Sequence, residues 1–180
     1  MFIQTQNTPN PNSLKFIPGK KVSNRGSFEV TDKKKINNAL IRNILSINGV
    51  TSIFLGEDFL SVNKSEKIHW EDVKHIVISF INEFYDSGNE FVVDKNVNTE
   101  EQLNYPELES RIIKILDTKV KPAVARDGGD IKFEEFKNGV VKVRLQGSCS
   151  GCPSSTMTLK QGVQNLLCHY IPEVKEVIAI

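Results

Sequence analysis

The sequence predicts an α+β chain of two small mixed α/β modules, residues 1–97 and 98–180, on three observations. Short apolar runs punctuated by Pro, Gly and Asn alternate with longer segments in which apolar residues recur at helical spacing. A polar stretch at 94–102, with Val97 as its one apolar residue, separates two such sets of elements and reads as a linker. At 180 residues with 39% hydrophobic and 25% charged side chains, the chain has the length and composition for one to two buried cores.

The first module opens with Thr8-Pro9-Asn10-Pro11, the composition of a rigid turn, before a short strand at 14–17 closed by Pro18-Gly19. A second strand is expected at 28–30. Asp32 is placed to cap a helix carrying Ile36, Leu40, Ile44 and Ile47, with Gly49 as its end. Strands at 50–55 and 59–62 then pair about Gly56-Glu57-Asp58. The clearest helix starts near Trp70: Trp70, Val73, Val77, Phe80, Ile81 and Phe84 share a face, Glu71 and Asp72 suit its positive end, and Gly88 stops it.

The second module starts with Pro106 at a first helical position, followed by Leu108, Ile112, Ile115, Leu116, Val120 and Val124 on one face; Pro122 should kink this helix late in its course. Gly128-Gly129-Asp130 reads as a turn into a hairpin of 131–136 and 140–146. There Asn138-Gly139 suits the positive backbone angles of a tight turn, and Val141, Val143 and Leu145 alternate with Lys142, Arg144 and Gln146. A last helix carries Leu159, Val163, Leu166, Leu167 and Tyr170, is stopped by Pro172, and leads to a strand at 177–180.

Charge excludes some partners and leaves others. Lys and Arg total 23 against 22 Asp and Glu, and neither side of Asn98 is a charged tail, so no field advertises nucleic acid. The apolar run at 76–81 is interrupted by Asn82 and Glu83 and cannot span a bilayer, so no membrane partner is expected. The opening residues lack the basic and apolar regions of a signal peptide, which predicts a bacterial cytoplasmic chain or a processed mitochondrial matrix chain.

Three cysteines, Cys149, Cys152 and Cys168, are too few and odd for a disulfide framework and fit a reducing compartment. Two of them stand two residues apart in Gly147-Ser148-Cys149-Ser150-Gly151-Cys152-Pro153, on a turn relaxed by Ser150 and Gly151. Pro153 suits the first turn of the next helix, which places both sulfurs near a positive helix end that favours thiolates and an anionic centre. Three cysteines cannot complete a four-thiolate iron–sulfur site within one chain. The simplest closed solution is a two-fold dimer in which each copy lends Cys149 and Cys152 to one cluster at the interface. A site so shared is open to partners, which fits delivery of a cluster better than permanent structural or electron-transfer duty.

The run Asp127-Gly128-Gly129-Asp130-Ile131, then Leu145 through Ser155 around the two cysteines, then Thr158-Leu159-Lys160-Gln161-Gly162, resembles the C-terminal NifU-like (Nfu) domain over most of 105–180. The opening, Gln4 through Phe16, is similar to the N-terminal domain that accompanies it in Nfu proteins of mitochondria and some bacteria. The resemblance implies a non-enzymatic scaffold or carrier. Such a protein holds a [4Fe–4S] cluster, or a [2Fe–2S] cluster, between two subunits through Cys149 and Cys152. It receives the cluster from upstream assembly proteins and passes it to apo iron–sulfur proteins.

Two other chemistries fit a CxxC pair. One is a thiol–disulfide oxidoreductase, although Ser150-Gly151 lacks the Gly-Pro of thioredoxin-like sites and no Trp flanks the pair. The other is a zinc-stabilised interaction domain with Cys168 and His169 as further ligands, which their adjacency on one helix makes awkward. Elsewhere Cys168 reads as a small core residue, His69 as a helix-terminus residue and His75 as solvated. Lys33-Lys34-Lys35 reads as a solvated face, and Trp70, Phe80 and Phe84 as core.

Overall fold

The computed structural model describes residues 1–24, 26–90, 92 and 105–180. The linker predicted at 94–102, and with it the boundary near Asn98, lies outside the described residues.

The first module is one five-stranded antiparallel sheet with two helices on one face. The strands are β1 (Gln4–Asn7), β2 (Ser13–Ile17), β3 (Phe28–Val30), β4 (Val50–Leu55) and β5 (Leu60–Lys64), in the order β1-β2-β5-β4-β3. Period-two alternation divides them. Leu14, Phe16, Val30, Ile53, Leu55, Leu60 and Val62 point into the core, against α1 (Ala39–Leu45) and α2 (Trp70–Asp86). Lys15, Glu29, Ser52, Phe54, Ser61 and Asn63, at the alternate positions, make the opposite face.

Helix α2 buries Val73, Val77, Ile81 and Tyr85, with Trp70, Phe80 and Phe84 flanking the stripe. A fully buried side chain such as Ile81 contributes roughly 1.5–3 kcal/mol by leaving water. Gly88, at φ +85°, closes the helix as expected. Helix α1 departs from the expectation: its cap is Asn38, whose side chain accepts from the Ile41 N–H at 3.0 Å, while Asp32 accepts from the Lys34 N–H in a separate turn. Both residues are good caps, but only Asn38 stands directly before the turn that Leu40, Ile41 and Ile44 bury. Strand β1, absent from the sequence reading, is a polar edge strand that β2 recruits through its ladder.

In the second module the long helical pattern is divided. Helix α3 (Glu107–Ile115) starts after Pro106, which is its cap rather than its first helical residue; a π turn (Leu116–Val120) follows, then α4 (Lys121–Arg126). The expected break near Pro122 is realised as this wider turn, which shifts the phase just ahead of a residue without an N–H. Ile112, Leu116, Val120 and Val124 are nevertheless buried along one side.

Strands β6 (Gly129–Lys137) and β7 (Val140–Gly147) form the predicted hairpin, with Asn138 at φ +53° and Gly139 at φ +81°. Helix α5 (Pro153–Tyr170) then crosses over, and β8 (Glu176–Ala179) pairs parallel to β7. Its core joins Ile131, Val141, Val143, Leu145, Val163, Leu167 and Val177 to the helical residues above.

Candidate functional site

The cysteines sit where β7 ends and α5 begins, on a loop braced by two glycine-rich segments. In the β6–β7 ladder Gly129 lies opposite Gly147. A Cβ on Gly147, itself at φ +68°, would stand 2.6 Å from the Gly128 carbonyl oxygen and 2.9 Å from the Phe54 ring. One on Gly129 would stand 2.5 Å from the Cys149 sulfur and 2.7 Å from the Gln146 carbonyl oxygen. These glycines are therefore required by close approach. The Gly128-Gly129 pair, read from sequence as a turn alone, is also the floor beneath Cys149.

Side chains of the loop fix its course. The Ser148 N–H donates to the Gly128 carbonyl at 3.2 Å and its hydroxyl to the Asp127 carbonyl. The Ser150 hydroxyl donates to the Gly147 carbonyl at 2.8 Å, and Gly151 takes φ +78°. The Thr156 hydroxyl donates to the Cys149 carbonyl at 3.1 Å, tying α5 back to the loop.

The two thiols occupy unlike environments. Cys152 is the cap residue of α5, partly exposed, with its sulfur 3.3 Å from the Ser154 hydroxyl. That hydroxyl, with the Ser155 N–H and hydroxyl, draws its pKa down to about 7. Cys149 is 8% exposed and packs among the second module's core residues. Burial pushes its thiol up to about 11, which the nearby Ser148 hydroxyl only partly offsets and Asp127 and Asp130 reinforce. The expectation of two thiolates thus holds for Cys152 and not for Cys149. The helix end reaches its own cap residue, while the loop turns Cys149 inward. Cys149 lines a cavity of about 320 Å³ with Val124, Asp127, Ser155, Leu159 and, from the first module, Pro9.

All three cysteines are free thiols. Cys168 lies 16 residues beyond Cys152, about 24 Å along α5, and packs beside the second core. It and His169 cannot join one ion with the CxxC pair. Among the described residues no three His, Cys, Asp or Glu side chains converge as a metal site. On this loop the side chains that could hold a soft metal are the two sulfurs of Cys149 and Cys152.

Sequence reasoning missed the first module's contribution. The Asn63 side-chain amide donates to the Gly147 carbonyl at 3.1 Å, the Ser61 hydroxyl to the Gly128 carbonyl at 2.7 Å, and the Asn10 amide to the Ser150 carbonyl at 3.2 Å. The Lys15 ammonium donates to the carbonyls of Ala125 and Arg126, at 3.0 and 3.3 Å, and burial lowers its pKa. Glu29 accepts from the Ser52 hydroxyl at 2.9 Å, and burial raises its pKa, which hydrogen bonds from Ser52, the Gly147 backbone and Ser150 only partly offset.

Comparison with known proteins matches both modules in order. The family model described as scaffold protein Nfu/NifU N terminal fits residues 3–88, and that of the NifU-like domain fits 112–178. Over 98% of its length the chain is 42% identical to NifU-like protein 4, mitochondrial, of Arabidopsis thaliana. It is 43% identical, again over 98%, to the NFU1 iron-sulfur cluster scaffold homolog, mitochondrial, of Homo sapiens. It spans 65% of the first protein's length and 71% of the second's. A solution structure of a NifU-like protein from Saccharomyces cerevisiae aligns with 53% of this chain and 87% of its own, at 32% identity and a TM-score of 0.48. With both of its modules matched in sequence and order, the chain belongs to the Nfu/NifU family.

Proposed function

We propose that the chain is an iron–sulfur scaffold and carrier rather than an enzyme. In this reading two copies each contribute Cys149 and Cys152 to one [4Fe–4S] cluster, taken from upstream assembly proteins and handed to apo iron–sulfur proteins. The observation that carries it is the donor set: two free thiols on one exposed-end loop, with no third metal-ligating side chain converging among the described residues. A tetrathiolate centre then requires a second chain, and transfer proceeds as an acceptor's thiolates replace these one pair at a time. The names of the relatives, iron–sulfur scaffold and NifU-like protein of mitochondria, support both this chemistry and a mitochondrial matrix setting as an alternative to a bacterial cytoplasm. Residues 1–97 are the accompanying module and 98–180 the cluster-binding one. Anaerobic reconstitution with ferrous iron and sulfide tests the reading. About two iron atoms per chain, a [4Fe–4S] Mössbauer spectrum and a dimeric holo-form are expected. A colourless monomer refutes it, and a [2Fe–2S] spectrum corrects the cluster type.

The split between the thiols favours a second reading, a dithiol oxidoreductase. The Cys152 thiolate attacks a disulfide sulfur and expels one thiolate, and Cys149, once deprotonated, then displaces the second and leaves a Cys149–Cys152 disulfide that an external dithiol must reduce. Catalytic reduction of a test disulfide by the iron-free protein separates the two.

A further inference from the structure

The first module's second sheet face is buried although it is polar. Lys15, Ser52, Ser61 and Asn63 are each less than a tenth exposed, and side chains of that kind stay buried only where a partner meets them. Lys15, Ser61 and Asn63 all donate to main-chain carbonyls of the second module, as does Asn10 from the rim. The acceptors Gly128, Gly147 and Ser150 belong to the loop that carries Cys149 and to the glycine turn beneath it. The Thr8–Asn12 segment, whose Pro9 walls the cavity beside Cys149, is itself held in place: the Thr8 hydroxyl and the Ser13 N–H donate to the Asn10 carbonyl, the Asn12 N–H donates to the Asn10 side chain, and the Trp70 indole donates to the Pro11 carbonyl.

We propose that this face is a docking surface whose occupant is the cysteine loop of the chain's own second module, and that docking excludes the second copy. The mutual exclusion rests on the shared-cluster reading; the docking does not. For two chains to share one centre, each copy's Cys149 must come within bonding distance of an iron of the same cluster. In the docked form Pro9 walls the cavity that Cys149 lines, with the Ser155 hydroxyl donating to the Pro9 carbonyl at 3.4 Å and the Asn10 amide to the Ser150 carbonyl at 3.2 Å, so the first module stands where a second copy's loop has to approach. Docked and cluster-sharing forms are thus alternatives of one equilibrium. Binding of iron and sulfide draws the population toward the undocked form by its differential affinity.

The test is alkylation of the iron-free full chain by iodoacetamide, mapped by mass spectrometry, with Cys152 of the same chain as internal standard. Ser61→Arg drives a long side chain into the contact while leaving the first core alone, since Leu60 and Val62 on either side supply that core. Asn10→Ala removes the donor to Ser150 without adding bulk. The Cys149-to-Cys152 rate ratio rises about tenfold in Ser61→Arg and about threefold in Asn10→Ala, the scale of one neutral hydrogen bond. If Ser61→Arg does not fold, Asn10→Ala decides alone. An unchanged ratio in correctly folded variants overturns the docking, even if the native chain takes up a cluster. A raised ratio in chains that take up no iron sustains the docking and sinks the shared-cluster reading instead.

Discussion

Gly129→Ala gives the most direct measure of how tightly Cys149 is seated. The added methyl would sit 2.5 Å from the sulfur and 2.7 Å from the Gln146 carbonyl oxygen, whereas carbon contacts are optimal at roughly 3.5–4.0 Å. Something must move by about 1 Å. The Cys149 side chain is the softer partner, because Gln146 is held in the β6–β7 ladder opposite Asp130. Overpacking of this kind costs about 1–3 kcal/mol, or about 4–8 °C of melting temperature for each kcal/mol in a module of this size. The assay is thermal unfolding by calorimetry of Gly129→Ala, Cys149→Ser and the double variant. Oxygen lies closer to Cβ than sulfur does, so Cys149→Ser relieves part of the clash and the two changes couple favourably by about 0.5–1 kcal/mol. A loss below about 0.5 kcal/mol in Gly129→Ala, the ordinary scatter of surface changes, refutes the seating.

The remaining predictions concern the thiols. Cys149→Ser or Cys152→Ser abolishes cluster uptake, while Cys168→Ser, changed about 24 Å along α5, retains it; iron per chain after reconstitution decides. At pH 7 Cys152, near a pKa of 7, is about half thiolate and Cys149, near 11, about one part in ten thousand. After allowance for the greater nucleophilicity of the more basic sulfur, iodoacetamide prefers Cys152 roughly fifty- to a hundredfold. Above about pH 8 Cys152 is saturated while Cys149 gains about tenfold per unit, so the preference shrinks with rising pH; a flat ratio between about pH 7.5 and 9.5 contradicts the assignment. Finally, sedimentation under anaerobic conditions finds the holo-form dimeric and the iron-free form monomeric, because metal–thiolate bonds couple binding to assembly. A dimer that persists without iron removes that coupling.

Elements whose burial alternates along the chain were legible in it, and those decided by a neighbour were not. The stripe of Val73, Val77 and Ile81 and the Asn138-Gly139 turn announce α2 and the β6–β7 hairpin because local geometry alone dictates them. Strand β1, Gln-Thr-Gln-Asn, carries no apolar alternation, since its order comes from pairing with β2. Asp32 and Asn38 are chemically equivalent as caps, and packing rather than propensity selects Asn38. The CxxC pair, with its glycine turn and following proline, was visible as a loop between a strand and a helix. What could not be seen is that Ser61 and Asn63, in the pattern of a solvated face, lie buried against the second module, and that Cys149 is buried while Cys152 is partly exposed. Period-two alternation tells which residues share a face, but not whether water or protein covers it.

At Ala125, Arg126, Gly128, Gly147 and Ser150 the first module's donors meet main-chain oxygens, whereas at Asp130 the Ser27 hydroxyl donates to a side-chain carboxylate. A surface that recognises carbonyls recognises the path of a backbone and is indifferent to the side chains strung along it. Sequence drift in the cysteine loop is therefore free wherever it preserves that path, and the two halves need not mutate in concert to stay compatible. The exceptions are Asp130, whose carboxylate meets Ser27, and Gly128, Gly129 and Gly147, where a single methyl alters the path itself. A graft of this first module onto a foreign partner would succeed or fail on those four positions and the course of the turn that the glycines permit.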